Sequence, residues 1–348
     1  MKASRLFFAV AAAFLAAGAL ADGQIRQVGV GSSTRYATDV YPGFDNEKEI
    51  VSPEKKEPRW FSFINGPKRE NAKEQLIYCA DLIGDGDYSR AVKQLDALVR
   101  EWPTAPEAAR AQRMIGEIYL ERTQEYEDAF AAFRYLLDFY SLQCEYDKIA
   151  DKLYKIAGLM RQEGKTIVFF RFKNTVDVRR AFETCVLRAP GAKWVPQAML
   201  TIGELRVEEG KYDEAIKVYE NLRNLHGDTP EAKTAVIREA EARMVELEEY
   251  GYNRERCADT INFLKQALTT CNLSDLDTIK GFLEKARAQI EDEAYVGAKF
   301  YDSPTRTRRS AINAYERFLD EYPESARAAE VKSRLDALKA MTEEDSKK

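Results

Sequence analysis

The sequence has a single histidine and only five cysteines in 348 residues. One histidine excludes the paired imidazoles of common catalytic zinc sites, and the cysteines show no zinc-site spacing. Five cysteines are also too few for a disulfide scaffold, and an odd number leaves at least one unpaired. The apolar neighbours favour buried thiols, with a Cys257–Cys271 bridge as the alternative. We therefore expect no metal and no cofactor.

An excess of basic residues is also missing, and proline and glycine are sparse. The formal net charge is −5, and a nucleic-acid partner is not expected because binding phosphates requires a basic surface. The chain has 11 prolines and 18 glycines, and 45% of its residues are hydrophobic. This composition is typical of a folded, helix-rich protein and excludes a disordered one.

Motifs for hydrolysis or phosphate binding are incomplete. Gly164-Lys165-Thr166 resembles the end of a phosphate loop, but Leu159 stands where the loop needs its first glycine. The only histidine, His226, follows an apolar stripe at a predicted helix end, where a structural role fits better than catalysis. We predict a protein that is not an enzyme. The alternative is an enzyme accessory or hydrolase with a site in the insertion at residues 163–177.

The only long apolar run lies at the N-terminus. Lys2 and Arg5 precede a charge-free stretch from Leu6 to Leu20, and Ala19-Leu20-Ala21 fits the pattern cleaved by signal peptidase. The run is shorter than the roughly 20 residues that span a bilayer. We therefore predict a signal peptide over residues 1–21, export, and a mature chain that starts at Asp22. No cysteine lies near the cleavage point, so no lipid anchor is expected.

Residues 22–70 show no helical period. Glycine and proline interrupt this stretch, and residues 47–59 are mostly charged, so we predict an irregular arm or linker. The exception is Trp60-Phe61-Ser62-Phe63-Ile64, because four large apolar residues in five positions are unfavourable in water. We predict that this segment caps the open end of the first repeat. The alternative is a docking peptide for a partner.

One helical pattern recurs between residues 71 and 340. A glycine-containing break is followed by an aromatic residue, by an alanine three positions later, and by apolar residues at spacings of three and four. The positions that carry the pattern are Tyr88, Ala91, Pro103, Gly116, Ala129, Gly203, Tyr212, Ala215, Ala311 and Pro323. The pattern predicts an all-α solenoid of five to six irregular helical hairpins, with a frayed tail over residues 341–348.

The third hairpin is interrupted. Helical spacing holds over residues 146–161 and resumes over 177–187, but the insertion between them contains Ile167-Val168-Phe169-Phe170. Periodicity alone leaves two interpretations of this insertion. It is either a loop with a strand-like piece or a helix that buries most of its circumference.

The order of glycine, tyrosine, alanine and a second aromatic residue resembles the tetratricopeptide repeat. Gly203, Tyr212, Ala215, Tyr219 and Leu222 match five positions of that repeat at the right spacings. The resemblance implies helical hairpins stacked into a superhelix, with the first helix of each hairpin on a concave wall. Such walls accept an extended peptide or a partner helix.

A narrower resemblance is to the BamD-type (YfiO-like) proteins, which help to insert β-barrels into the bacterial outer membrane. A signal sequence and repeats that end in an aromatic residue and proline, as at Trp102-Pro103 and Tyr322-Pro323, carry it. It implies envelope proteins as partners, including a β-barrel assembly protein, and a location in the periplasm or at the periplasmic face of the outer membrane. Any membrane association would then be through partners. Typical members are lipoproteins with a cysteine after the signal, where this chain has Asp22. The similarity extends to CpoB-like periplasmic adaptors for envelope maintenance or cell division, which are the alternative.

Projection of the regular repeats predicts which residues face a partner on the concave wall. They are Lys73, Arg110, Arg113, Glu117, Gln197, Glu204 and Glu208, with Leu76, Ala80 and Leu200 as apolar neighbours. Arg110 and Arg113 lie one turn apart and could clamp a carboxylate, such as a chain terminus. The alternative is a solvated charged face without a specific ligand.

Overall fold

A computed structural model describes Phe44 and residues 66–163, 165–167, 170–172, 175–250, 254–303 and 307–347. Within these residues the helices are α1 (Ala72–Gly84), α2 (Tyr88–Glu101), α3 (Pro106–Ile118), α4 (Tyr126–Phe139), α5 (Tyr146–Glu163), α6 (Thr175–Arg188), α7 (Val195–Glu208), α8 (Tyr212–Leu225), α9 (Pro230–Tyr250), α10 (Arg254–Thr270), α11 (Leu276–Tyr301), α12 (Arg308–Glu321) and α13 (Ala328–Lys347). Two strands, β1 (Lys165–Ile167) and β2 (Phe170–Phe172), lie between α5 and α6. The predicted signal peptide and the Trp60–Ile64 segment lie outside the described residues.

Local sequence signals explain where the first helices begin and end. The Asn71 side chain accepts a hydrogen bond from the Glu74 N–H at 2.9 Å and so caps the start of α1. Gly86 has a φ of +77°, a left-handed conformation that glycine adopts without strain. Asp87 then caps α2 by accepting from the Arg90 N–H at 3.1 Å. The predicted break between the first two helices is therefore present.

The helices stack as a solenoid. Each helix packs against the next one in the chain, and further contacts join alternate helices, as in α1 with α3, α7 with α9 and α9 with α11. Contacts between neighbours and next neighbours are what a stack of helical hairpins produces. The predicted all-α solenoid is thereby confirmed.

Small residues lie where the paired helices approach each other. Ala91, Ala129, Ala215 and Ala311 are all fully buried. Gly203 of α7 lies under the ring of Tyr219 in α8, and Gly116 of α3 meets the Phe133 ring of α4 in the same way. Of the other repeat positions, Tyr212 is buried, Tyr88 and Pro103 are half-buried, and Pro323 is exposed. The recurring residues therefore serve the packing of each hairpin.

The buried apolar residues form three clusters along the array. The first runs from α1 into α9, the second joins α9, α10 and α11, and the third joins α11, α12 and α13. Helix α9, with 21 residues, and helix α11, with 26 residues, each contribute to two clusters. These two helices are longer than the 13 or 14 residues of α1 to α4, whereas α12 in the C-terminal part also has 14 residues.

The structure decides two points that the sequence left open. Strands β1 and β2 pair antiparallel with Ile167 opposite Phe170, so the insertion is a loop with a strand-like piece. The final helix extends to Lys347, and fraying of the tail stays a prediction. Cys257 and Cys271 remain thiols, as do the other three cysteines. No described helix has the length and apolar character needed to cross a membrane.

Candidate partner-binding wall

The seven predicted wall residues all lie on first helices of hairpins. Lys73 is on α1, Arg110, Arg113 and Glu117 are on α3, and Gln197, Glu204 and Glu208 are on α7. Lys73, Arg110, Gln197 and Glu208 are exposed, and the other three are half-buried. Leu200 is instead buried in the main core, so its predicted place on the wall is wrong.

Ion pairs connect the first helices of the middle hairpins. The Lys152 Nζ atom of α5 lies 3.6 Å from Glu117 of α3, and an Arg161 nitrogen at the other end of α5 lies 2.8 Å from Glu204 of α7. Arg161 also donates to the Thr201 hydroxyl at 3.3 Å. These pairs place α3, α5 and α7 side by side. Glu117 and Glu204 therefore already have ion-pair partners on α5.

Arg110 and Arg113 have no ion-pair partner within the part of the chain that the structure describes. Arg113 lies near Glu145, whose pKa is lowered first by its contact with Lys148 and further by the Arg113 charge. The two guanidinium groups are thus available to an anionic group of a partner. The carboxylate clamp remains a prediction.

A stacked aromatic pair lies beside this wall. The rings of Tyr154 in α5 and Trp194, just before α7, lie 4.7 Å apart and are nearly parallel. The Trp194 Nε1–H donates to Asp151 at 2.7 Å, which fixes the orientation of the indole ring. Both rings are half-buried, and at Gly158 an added Cβ would meet no atom within 4 Å. Both rings also pack against the main core, so each is only partly available to a partner. Sequence reasoning missed the pair because the third hairpin is irregular.

A small cavity of about 200 Å³ is lined by none of the predicted wall residues. Its lining comes from α4, α5 and α6 and consists of Glu127, Phe130, Arg134, Met160, Asp177, Arg180, Ala181 and Thr184. The Thr184 hydroxyl is the sole alcohol in this set, and no histidine or cysteine accompanies it to form a nucleophile and base pair. Across the described residues no group of acidic, histidine and cysteine side chains is placed to hold a metal ion.

A carboxyl group with a strongly raised pKa lies at the junction of α8, α9 and α10. Burial, the hydrogen bond to Asp213 and the charge of Asp213 raise the pKa of Glu246 to about 7, while Arg256 and Arg243 oppose the shift. Arg256 bridges the two carboxylates, with nitrogen to oxygen distances of 2.8 Å to Glu246 and 3.5 Å to Asp213. This cluster connects helices of the first and second cores.

Glu246→Gln is expected to reduce the pH dependence of stability. A raised carboxyl pKa means that the folded state holds the proton more tightly, so its contribution is complete below the ordinary value of 4.5 and is lost as pH rises through about 7. In the wild type the free energy of unfolding should therefore fall by about 1–3 kcal/mol over this pH range. One pKa unit is worth about 1.4 kcal/mol, and the exposure of Asp213 and Arg256 weakens the coupling.

Urea unfolding at pH 5 and pH 8 measures this loss. The matched control is Glu241→Gln, a half-exposed position of α9, which should keep the wild-type difference between the two pH values. An equal difference in wild type and Glu246→Gln would show that Glu246 does not titrate in this range.

Two segments of the chain match protein-family models, each described as tetratricopeptide repeat. They cover residues 81–142 and 197–229. No curated protein matches the chain. One similar solved structure is a tetratricopeptide repeat protein from Parabacteroides merdae, with 12% identity and a TM-score of 0.27 over 77% of this chain and 98% of that chain. A TM-score this low does not establish a shared fold. The chain therefore contains tetratricopeptide repeats on the evidence of the two matched segments.

Proposed function

We propose that this chain is a non-catalytic scaffold that binds other proteins of the bacterial cell envelope. The observation that carries the proposal is the wall of first helices within a tetratricopeptide array. Exposed polar side chains lie on α1, α3 and α7 of that wall, and ion pairs tie α5 between α3 and α7. A series of such helices suits an extended peptide or a partner helix.

The size of the described cavity favours a protein partner over a small molecule. Sites for small ligands are usually enclosed spaces of about 300–1,000 Å³. The cavity between α4, α5 and α6 has about 200 Å³, and none of its lining residues is a predicted wall residue. A partner spread along the wall can instead contact both the cations of α3 and the aromatic pair at Tyr154.

The finer proposal is a BamD-like role in outer-membrane β-barrel assembly. The signal-peptide pattern over residues 1–21 and the repeats that end at Trp102-Pro103 and Tyr322-Pro323 support it. The protein would act in the periplasm or at the periplasmic face of the outer membrane, and would meet the membrane through its partners. The alternative is a CpoB-like adaptor for envelope maintenance or cell division, which the same features accommodate.

An affinity pull-down tests both levels of this proposal. The mature chain from Asp22 captures partners from crosslinked envelopes of its own bacterium, beside the double variant Arg110→Ala/Arg113→Ala. We expect the wild-type chain to recover a barrel-assembly protein and the variant to lose most of it, because the variant removes two unpaired cations from the wall. The control is Arg90→Ala/Arg100→Ala, which removes two arginines of the second helix α2.

Each outcome of the pull-down has a distinct meaning. Cell-wall or division proteins in place of a barrel-assembly protein would favour the adaptor. A partner set unchanged in Arg110→Ala/Arg113→Ala would contradict the carboxylate clamp. Failure of the folded chain to capture any envelope protein would contradict the scaffold proposal itself.

A further inference from the structure

The start of α5 carries a carboxylate that belongs to no predicted wall position. Glu145 directly precedes α5, and its backbone carbonyl accepts a hydrogen bond from the Ile149 N–H at 3.1 Å. The Glu145 side chain forms an ion pair with Lys148, which lies in the first turn of the helix. Both side chains are more than half exposed. Exposed pairs of this kind are weak, so Glu145 can exchange one cation for another at little cost.

An ion pair between α3 and α5 sets which residues of the two helices meet. These are first helices of successive hairpins and run in the same direction, with Glu117 and Lys152 at 3.6 Å between them. The Lys152 Nζ atom also lies 4.9 Å from the centre of the Phe133 ring of α4, which fixes it from a second side. Arg113 lies one turn before Glu117, and Lys148 lies one turn before Lys152, each on the same side of its helix. Arg113 and Lys148 therefore face the same junction.

The charge of Arg113 acts on the two residues that precede α5. The pKa of Glu145 is lowered first by its contact with Lys148 and further by the Arg113 charge. Burial raises the pKa of Cys144, and the Arg113 charge opposes that rise. Because charge interactions weaken with distance, both effects agree with a position of Arg113 beside the turn between α4 and α5. Glu145 therefore lies near two cations, Lys148 on its own helix and Arg113 on α3.

We propose that Glu145 competes with the partner's anionic group for Arg113, and that Lys148 keeps Arg113 open by holding Glu145. The proposal rests on the carboxylate clamp of the proposed function and adds two residues that set its affinity. Glu145 pairs with Lys148 in the structure, whereas Arg113 forms no ion pair with any described residue. Arginine binds a carboxylate through two parallel N–H groups, which lysine cannot do, so Arg113 would take Glu145 once Lys148 is removed. Lys148 is thus a positioning residue that acts through Glu145.

Arginine modification by phenylglyoxal, read at each site by mass spectrometry, tests the proposal on the folded full-length chain without a partner. The reagent attacks the neutral guanidine, and a carboxylate nearby favours the charged form, so a paired arginine reacts more slowly. We expect Lys148→Met to slow the modification of Arg113 about two- to fivefold, because Glu145 then pairs with it. In the Glu145→Gln background the same Lys148→Met change should leave the rate at Arg113 unaltered. Arg309, an exposed arginine of α12, is the internal reference.

The matched control is Lys155→Met, which removes the same charge from another exposed position of α5. Lys155 lies seven residues after Lys148, or about 10 Å along the helix axis. This distance exceeds the screening length of about 8 Å at physiological salt. The control should therefore leave the modification rate of Arg113 unchanged. Circular dichroism checks that each variant keeps its helical content.

Two results of the modification experiment would overturn the proposal. One is an unchanged rate at Arg113 in Lys148→Met, which would show that Glu145 does not move to Arg113. The other is an equal slowing with Glu145 and with Gln at that position, which would show that Lys148 does not act through Glu145.

The pull-down adds the partner to this test. We expect Glu145→Gln to recover about two- to fivefold more of the captured envelope protein than the wild-type chain, because the competing carboxylate is gone. Equal recovery by the two chains would contradict the competition. Failure of the proposed function would look different, since neither chain would then capture an envelope protein, while the rates at Arg113 are measured without any partner.

Discussion

Replacement of Glu183 by glutamine is expected to lower the free energy of unfolding by about 3–5 kcal/mol. Glu183 of α6 is 2% exposed and accepts hydrogen bonds from Arg179 at 2.7 Å and from Arg206 of α7 at 3.1 Å. Both arginine side chains are fully buried. Glutamine removes the negative charge between them and leaves two guanidinium groups in a low-dielectric interior with less compensation.

Urea unfolding monitored by circular dichroism measures this effect. Arg179 also contacts Glu209 at 2.7 Å, so the network joins α6 to the turn after α7. The control is Glu208→Gln, one residue earlier and exposed, which should change stability by less than about 0.5 kcal/mol. A loss below about 1 kcal/mol for Glu183→Gln would mean that the buried arginines find other compensation.

Gly203→Ala is expected to destabilise the protein by about 1–3 kcal/mol, although alanine is the better helix former. A Cβ at this position would lie 2.2 Å from the Tyr219 ring, closer than atoms tolerate. Tyr219 is 1% exposed, so its ring cannot move aside without displacing other core residues. The steric cost therefore exceeds the gain of about 1 kcal/mol from removing a helical glycine.

The measurement is thermal and urea unfolding of matched glycine variants. Gly281→Ala in α11 is the control, because an added Cβ there meets no atom within 4 Å and should stabilise the protein by about 0.5–1 kcal/mol. In Gly203→Ala/Tyr219→Leu the smaller side chain should remove the clash, so the two changes should cost less together than their sum. Strict additivity would contradict the proposed contact.

The hairpins could be predicted because their signals are local. Gly203, Tyr212 and Ala215 lie within 13 residues of one another, so spacing alone indicates the contact between α7 and α8. Thr229 and Pro230 likewise mark the start of α9, where the Thr229 hydroxyl accepts from the Ala232 N–H at 3.3 Å. Helix bounds and repeat packing follow from such short-range patterns.

The features that sequence reasoning missed depend on contacts between distant residues. Arg179, Glu183 and Arg206 have the composition of a solvated helix face, and only the packing of α6 on α7 buries them. The sequence does not predict Arg161 as a wall residue. The wall residues follow from the regular repeats, and the third hairpin is irregular. The partner-facing role of Arg110 and Arg113 remains a prediction, since their exposure alone does not identify a ligand.

The sharing of α9 and α11 between cores affects how this array can change in length during evolution. A repeat protein gains or loses whole hairpins when its sequence is duplicated or deleted at a boundary that divides two packing units. Helix α9 belongs to the first and second cores, and α11 belongs to the second and third. A duplication or deletion that removes part of α9 or α11 is therefore expected to expose two cores at once.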